Sequence, residues 1–387
     1  MKKKKILLLL MAALLVITLS GCFDYRELNL LDIVTGFSID RGTQGNYHLS
    51  FEVVNESGGE SSGDSDGNSS ESTVVESDGK TIFDAVRNAE KGSGYKLYFS
   101  HCEAIIISHQ LASAGIAPLL SWINQDNELR LSLNLMISKA NSAEEVLKLK
   151  SPLNSINSTA LTQMLQDDAQ TLSKIPQIQL YEANEELADE GVSLILPLID
   201  HDPNQKKAPQ FTGSALFKKD RLVGYLNADE SQYLLMTRNA VKGGIIVLRD
   251  QQGNPGGSFE IKRLSTQIVP RVQKGKAEIA AKVQIENSLG EVMSNKRFGT
   301  QGEIQAIEQE SEEQVKASLQ TVIHSIQEKY DVDVFGFGRT ISTHEPAYWA
   351  KNAAKWDTIF KTLPVQVSVE VKTSDSALAK SKIPVSD

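Results

Sequence analysis

Apolar residues recur along this chain with two distinct periods. From Ile33 to Asp40 the sequence is rich in β-branched residues, and Asp40-Arg41-Gly42 and Gln44-Gly45-Asn46 carry turn residues. Tyr47, Leu49, Phe51 and Val53 then interleave with His48, Ser50 and Glu52. This alternation predicts two half-buried strands joined as a hairpin. Val74-Val75 resume a strand-like pattern. Thr81 to Lys91 sets Ile82, Ala85, Val86 and Ala89 at helical spacing, with Gly92 as a stop signal. The short apolar run from Glu103 to Ser108 reads as a central strand buried on both faces. A helix is predicted from Leu111 to Asn124 despite Pro118, and a strand from Leu129 to Ile137. Ser142 and Glu145 have capping-box spacing and open a further helix towards Lys150.

The second half continues in the same style. Ser214–Phe217 and Arg221–Leu226 flank Lys218-Lys219-Asp220 as a hairpin. Asp229 to Val241 reads as a helix, with acids at its start and Gly243-Gly244 at its end. Strands are predicted from Gly244 to Leu248 and around Ile279 to Ile285. The longest helix runs from Gly302 to Tyr330, with Ile304, Ile307, Val315, Leu319, Val322, Ile326 and Tyr330 on one stripe. Four good heptads are not sustained, so the stripe should pack on a sheet rather than in a coiled coil. His344 to Lys361 is read as one helix with Trp349 and Trp356 seven apart, and Val365 to Val371 as a closing strand.

Strand–helix alternation of this kind gives an α/β (α+β mixed) fold class, with mixed or antiparallel sheets packed against helices. A length of 387 residues supports two or three cores. The polar stretch at His201 to Lys207 and the QQGNPGG segment from Gln251 to Gly257 mark composition shifts. The expected layout is a leader at 1–21, an N-terminal α/β domain at 22–205, a small middle domain at 206–265 and a C-terminal α/β domain at 266–372. Residues 55–72 hold only Asn, Glu, Ser, Gly and Asp, and are expected as a disordered acidic loop. A disordered tail is expected at 373–387.

The first 22 residues carry the sharpest signal. Lys2 to Lys5 precede an uncharged apolar run of 14 residues, Ile6 to Leu19. As a helix that run would reach only ~21 Å, short of the ~30 Å of a bilayer core, so a secretory signal is the better reading. Leu19-Ser20-Gly21-Cys22 then resembles a bacterial lipobox, in which the Cys22 thiol takes a diacylglyceryl thioether and cleavage leaves Cys22 as the N-terminus. Acyl chains, palmitate among them, would hold the protein to membrane lipid without a spanning helix. Removing the leader takes the formal charge from −9 to −13. Such an acidic body lacks the basic footprint of a nucleic-acid binder.

Several catalytic lookalikes fail on geometry. Gly59-x-Ser61-x-Gly63 matches a nucleophile elbow but lies in the acidic stretch rather than on a strand-to-helix turn. Gly79-Lys80-Thr81 lacks the earlier glycine of a phosphate loop, where Val74 stands. Asp64-x-Asp66-x-Asn68 begins like a calcium loop, yet Ser69 and Val75 replace the required Gly and Glu. Adjacent strand residues point to opposite faces, so His101 and Cys102 cannot pair as base and nucleophile, and Cys102 is read as a buried structural thiol. Phe335-Gly336-Phe337-Gly338 lacks a third dinucleotide-binding glycine; it is read as a bulged strand whose glycines let another backbone approach closely. No enzyme, metal or cofactor is indicated.

The order of motifs resembles the Ger(x)C family, the C subunits of nutrient germinant receptors in endospore-forming bacteria. The resemblance rests on Gly21-Cys22-Phe23-Asp24-Tyr25-Arg26-Glu27-Leu28, Ile33-Val34-Thr35-Gly36 and Ile39-Asp40. It continues through Gly213 to Lys218, Leu222-Val223-Gly224, Lys242-Gly243-Gly244-Ile245, Asp333 to Gly338, Trp349, Trp356 and Val365 to Val371. Phe23 departs from the family's usual Trp, and residues 55–72 look like an insertion. The resemblance implies a three-domain lipoprotein at the outer face of the spore inner membrane, beside membrane-embedded A and B subunits. Phe335, Gly336, Phe337, Gly338, Trp349 and Trp356, with helix 302–330, are the candidate partner-contact residues. The competing readings are a solute-binding lipoprotein of an importer and a lipid-anchored envelope hydrolase.

Overall fold

A computed structural model describes residues 30–54, 72–149, 155–201, 208–250, 252–293 and 300–374, with residues 4–6 and 11. Cys22 and most of the leader, nearly all of the acidic stretch 55–72, the lookalikes at 59–69, residues 202–207 and the tail from 375 lie outside the described residues.

The first sheet has nine strands. The hairpin of β1 (Leu31–Arg41) and β2 (Tyr47–Val54) forms as expected, and β3 (Thr73–Gly79) adds on the far side of β2. The helix α1 (Ile82–Ser93) is capped by the Thr81 hydroxyl, which accepts from the Asp84 N–H; it passes Gly92 and stops at Gly94, which is left-handed. Two strands run parallel beside β1: β4 (Lys96–Tyr98) at its start and β5 (Ala104–Ser108) further along. Strand β5 is buried at every position, as its apolar run requires.

Two expectations for the next segment are corrected. Instead of one helix from Leu111, there are two: α2 (His109–Ala114), capped by Ser108, and α3 (Ala117–Gln125), with Pro118 in its first turn. Proline lacks the N–H needed inside a helix, so it starts a new one. The strand expected from Leu129 begins only at Asn134, as β6 (Asn134–Ser138); Leu131 is 54% exposed. Alternation at 129–133 therefore belongs to a turn rather than a ladder.

Beyond β6 come α4 (Ala143–Lys148), whose Ser142 cap accepts from the Glu145 N–H, then α5 (Asn157–Thr171) and α6 (Leu180–Ala188). Strand β7 (Ile195–Asp200) lies parallel to β6. The hairpin β8 (Gln210–Lys218) and β9 (Arg221–Asn227) then runs antiparallel to β7 and completes the sheet in the order β3-β2-β1-β5-β6-β7-β8-β9. Helix α5 starts on a buried acid. The Glu52 carboxylate accepts from the Asn157 N–H at 2.7 Å and from the Ser158 N–H at 2.8 Å, which places negative charge at a helix N-terminus.

After α7 (Ala228–Thr237), whose Asn227–Glu230 capping box is complete, a second sheet has the order β10-β11-β12-β13. It comprises β10 (Ile245–Arg249), the long hairpin of β11 (Pro255–Gln273) and β12 (Lys276–Val292), and β13 (Val365–Ser374) parallel to β12. The hairpin turns at Lys274 and Gly275, both with positive φ (50° and 77°), which matches the twist of the flanking strands. Its inner face buries Ile279, Ala281, Val283 and Ile285 under α8 (Gln301–Lys329). That helix presents Ile307, Val315, Leu319, Val322 and Ile326 to the sheet, as its stripe predicts.

The chain is thus mixed α/β, and among the described residues its strands form two sheets. The segment 206–265, expected as a small middle domain, is shared between them: β8 and β9 extend the first sheet, while β10 and the start of β11 belong to the second. Ala215 and Leu216 are fully buried on opposite faces of β8, which is why this hairpin takes β7 as a neighbour. One hydrophobic cluster unites Ile195, Leu216 and Leu226 of the first sheet with Leu234, Phe259, Ile279 and Val322.

Candidate functional site

The segment from Asp333 to Gly338 is a turn that leads into α9 (Phe337–His344), where the sequence suggested a bulged strand. The cause is the Asp333 side chain. Its Oδ1 accepts from the N–H groups of Phe335 (3.2 Å), Gly336 (3.0 Å) and Phe337 (3.2 Å). Its Oδ2 accepts from the Gly338 N–H at 2.7 Å and the Trp356 indole N–H at 3.0 Å. These donors would otherwise be orphans at a helix start, and one carboxylate meets them all. A ladder partner would have left Asp333 with none of them. Gly336 sits at φ 77°, a left-handed position suited to glycine.

Burial pushes the Asp333 carboxyl up to about 6, against the opposing pull of its backbone and indole donors. The group thus titrates well above the ordinary carboxylate range in a fully enclosed position.

This turn grips the other half of the chain. The Arg339 N–H donates to the Gly191 carbonyl at 2.8 Å, the Ser193 N–H to the Asp333 carbonyl at 2.8 Å, and the Arg339 guanidinium pairs with Asp189 at 2.6 Å. The expected close approach of another backbone is therefore present, and that backbone is the loop between α6 and β7.

The candidate contact residues fall as follows. Phe335 and Phe337 stack with centroids 5.0 Å apart, and both are buried against Phe360. Gly336 and Gly338 shape the turn. Trp356 is 3% exposed and meets Trp349 edge-on at 5.4 Å; Trp349 is half-buried. The single helix expected from His344 to Lys361 is instead α10 (Pro346–Asn352), a 3₁₀ turn (Ala353–Lys355) and α11 (Trp356–Phe360). Pro346 starts the first of these, and the break turns the Trp356 indole onto Asp333. Asp189 and Gly191 were not singled out from sequence. The signal available for them was an Asp-Glu-Gly turn directly before a buried strand.

Other reactive groups are satisfied locally. Cys102 is buried, its thiol lies 3.7 Å from the Ala104 carbonyl oxygen, and desolvation raises its pKa to about 12, which leaves a structural thiol. His48, Glu76 and Glu144 converge from β2, β3 and α4. The Lys148 ammonium pairs with both carboxylates, and Asp78 holds His48 Nδ1 at 3.1 Å. Partial burial raises the Glu144 pKa, but Lys148 and His48 outweigh it and hold the group below its ordinary value.

Residues 24–201 match the model described as spore germination protein N-terminal domain, and residues 212–377 match spore germination B3/GerAC like, C-terminal. Spore germination protein KC of Bacillus subtilis (strain 168) is 25% identical, with 95% of each chain covered. Spore germination protein B3 of the same organism is also 25% identical, over 92% of this chain and 94% of the relative. Among solved structures, the GerBC protein superposes with a TM-score of 0.57 at 22% identity, covering 88% of this chain and 97% of that one. The boundary between the two matched regions falls in the connection between β7 and β8.

Proposed function

Because the chain belongs to the Ger(x)C family of spore germination proteins, we propose that it is a non-enzymatic subunit of a nutrient germinant receptor, anchored by lipid on Cys22. In this reading it sits at the outer surface of the spore inner membrane, on the extracytoplasmic face, beside the A and B subunits. The observation that carries the anchor is the order Lys2–Lys5, apolar run, Leu19-Ser20-Gly21-Cys22, placed directly before the folded body. No helix among the described residues is long and apolar enough to cross a membrane.

A non-enzymatic role is supported by the condition of the reactive groups. Cys102 is a buried thiol, both carboxylates of the His48 cluster are engaged by Lys148, and Asp333 is enclosed by backbone donors. The folded parts then serve as surfaces for neighbouring subunits. Because Phe335, Phe337 and Trp356 lie inside the fold, contact at this end would be made through the partly exposed Trp349 and the polar face of α8. The test is deletion of the gene in a spore former, with complementation by the wild-type copy. Loss of germination to at least one nutrient, restored by the copy, supports the reading. Unchanged germination to every nutrient in a strain stripped of paralogues contradicts it.

A further inference from the structure

Strand β1 begins at Leu31, nine residues after Cys22. An extended chain spans at most ~3.3–3.6 Å per residue, so Leu31 stays within roughly 30 Å of Cys22. Strand β4 pairs in parallel with the start of β1, and β5, β6 and β7 run parallel in succession beside it. The starts of all these strands therefore lie toward the end of the sheet to which Cys22 is joined. The segments before β5 and β6, at 99–103 and 129–133, are brought to that end as well.

This end exposes apolar side chains. Leu30 is 52% exposed, Leu131 54% and Tyr181 43%. The Tyr181 N–H donates to the Leu131 carbonyl at 3.0 Å, so these two are neighbours, and Arg130 is exposed beside them. Single exposed leucines are ordinary on any surface. These are set apart by their place, at the tethered end, and by their company. Leucine enters the acyl boundary, tyrosine sits at headgroup level, and arginine keeps its charge in the wet layer. At the opposite end Phe83 is exposed, but the Arg87 guanidinium covers its ring at 4.8 Å. Two side chains hold lipid weakly by themselves; a tether makes the contact intramolecular, so weak contact suffices. Strand β2 ends and β3 begins at the tethered end too, so the acidic run 55–72 leaves the sheet there. Its charge opposes anionic lipid, which makes the contact apolar and insensitive to salt.

We propose that this end of the first sheet is a lipid-contact surface, on which the body stands with Leu131 and Tyr181 seated in the headgroup boundary of the bilayer. The proposal rests on the anchor at Cys22 proposed above. Its test uses the full chain, acylated at Cys22 and reconstituted on phosphatidylcholine vesicles, with a fluorophore on Leu131→Cys or on Asn141→Cys. These positions flank the two ends of the five-residue β6, a strand about 17 Å long. Both wild-type residues are exposed, so neither substitution disturbs the core. No other sulfur competes for the label, because Cys22 is acylated and Cys102 is buried. A quencher carried on lipid headgroups should extinguish most of the fluorescence at position 131, at low and high salt alike. It should leave position 141 at its level in quencher-free vesicles. Tyr181→Cys should repeat the result for Leu131→Cys. Equal quenching at 131 and 141, or stronger quenching at 141, on vesicles that carry the protein would overturn the orientation and leave the anchor standing. A chain that fails to float with the vesicles would remove the anchor, and the orientation with it.

Discussion

Gly191 and Gly338 meet backbone to backbone. A Cβ on Gly338 would stand 2.9 Å from the Gly191 Cα, and one on Gly191 would stand 2.6 Å from the Gly338 carbonyl carbon. The two residues come from opposite sides of the boundary between the matched family regions, so their contact ties the halves of the chain together.

Alanine in the first turn of α9 would ordinarily help a helix by about 1 kcal/mol relative to glycine. Here the clash decides the sign, because a Cβ on Gly191 meets the Arg339 and Gly338 backbone, and one on Gly338 meets the buried Trp356 indole at 2.6 Å, which Asp333 holds in place. Gly191→Ala and Gly338→Ala should each destabilise the fold by roughly 1–3 kcal/mol. Urea unfolding followed by tryptophan fluorescence would register the loss, and a stability gain in either variant would refute the contact.

Asp333→Ala should be more damaging, by roughly 3–5 kcal/mol, since five donors lose one buried acceptor. The wild-type group also carries a pH dependence. Its folded-state pKa, about 6, lies above the ordinary 3.8, so the native chain holds the proton more tightly than the unfolded one. The contribution of Asp333 to stability is therefore greatest below about pH 4 and declines as pH rises through 6. Carboxyl chemical shifts from selectively labelled aspartate should titrate near pH 6 at this residue; a midpoint below 4 would contradict the assignment.

Cys102, with its pKa raised to about 12, should resist thiol reagents at pH 8 in the native state and react at once in denaturant. Rapid native-state labelling of a Cys22→Ala chain, in which Cys102 is the one remaining thiol, would show the site to be open.

Much of this architecture was readable where local pattern and tertiary need agree. The run Ile105–Ile107 gave a central strand, and the stripe from Ile307 to Ile326 gave a sheet-packed helix. Reading failed where one residue redirects the chain: Pro118 and Pro346 each begin a new helix, and Leu131 continues an apolar alternation into an exposed turn. The motif at 333–338 was visible as a pattern, but its mechanism was not. Asp333 works through Trp356, 23 positions away, and through a loop around Gly191, and neither distance leaves a periodic trace. Glu52 is similar, a strand residue by alternation whose carboxylate caps a helix 105 positions later.

Whether this is a tethered germination subunit is tested most directly by the mass of its N-terminal peptide, recovered from the membrane fraction of spores. The expected species begins at Cys22 and carries a diacylglyceryl thioether on its sulfur, and Cys22→Ala moves the protein out of that fraction. An unmodified peptide that begins upstream of Cys22, with Cys22→Ala still bound to membrane at the wild-type level, would contradict it.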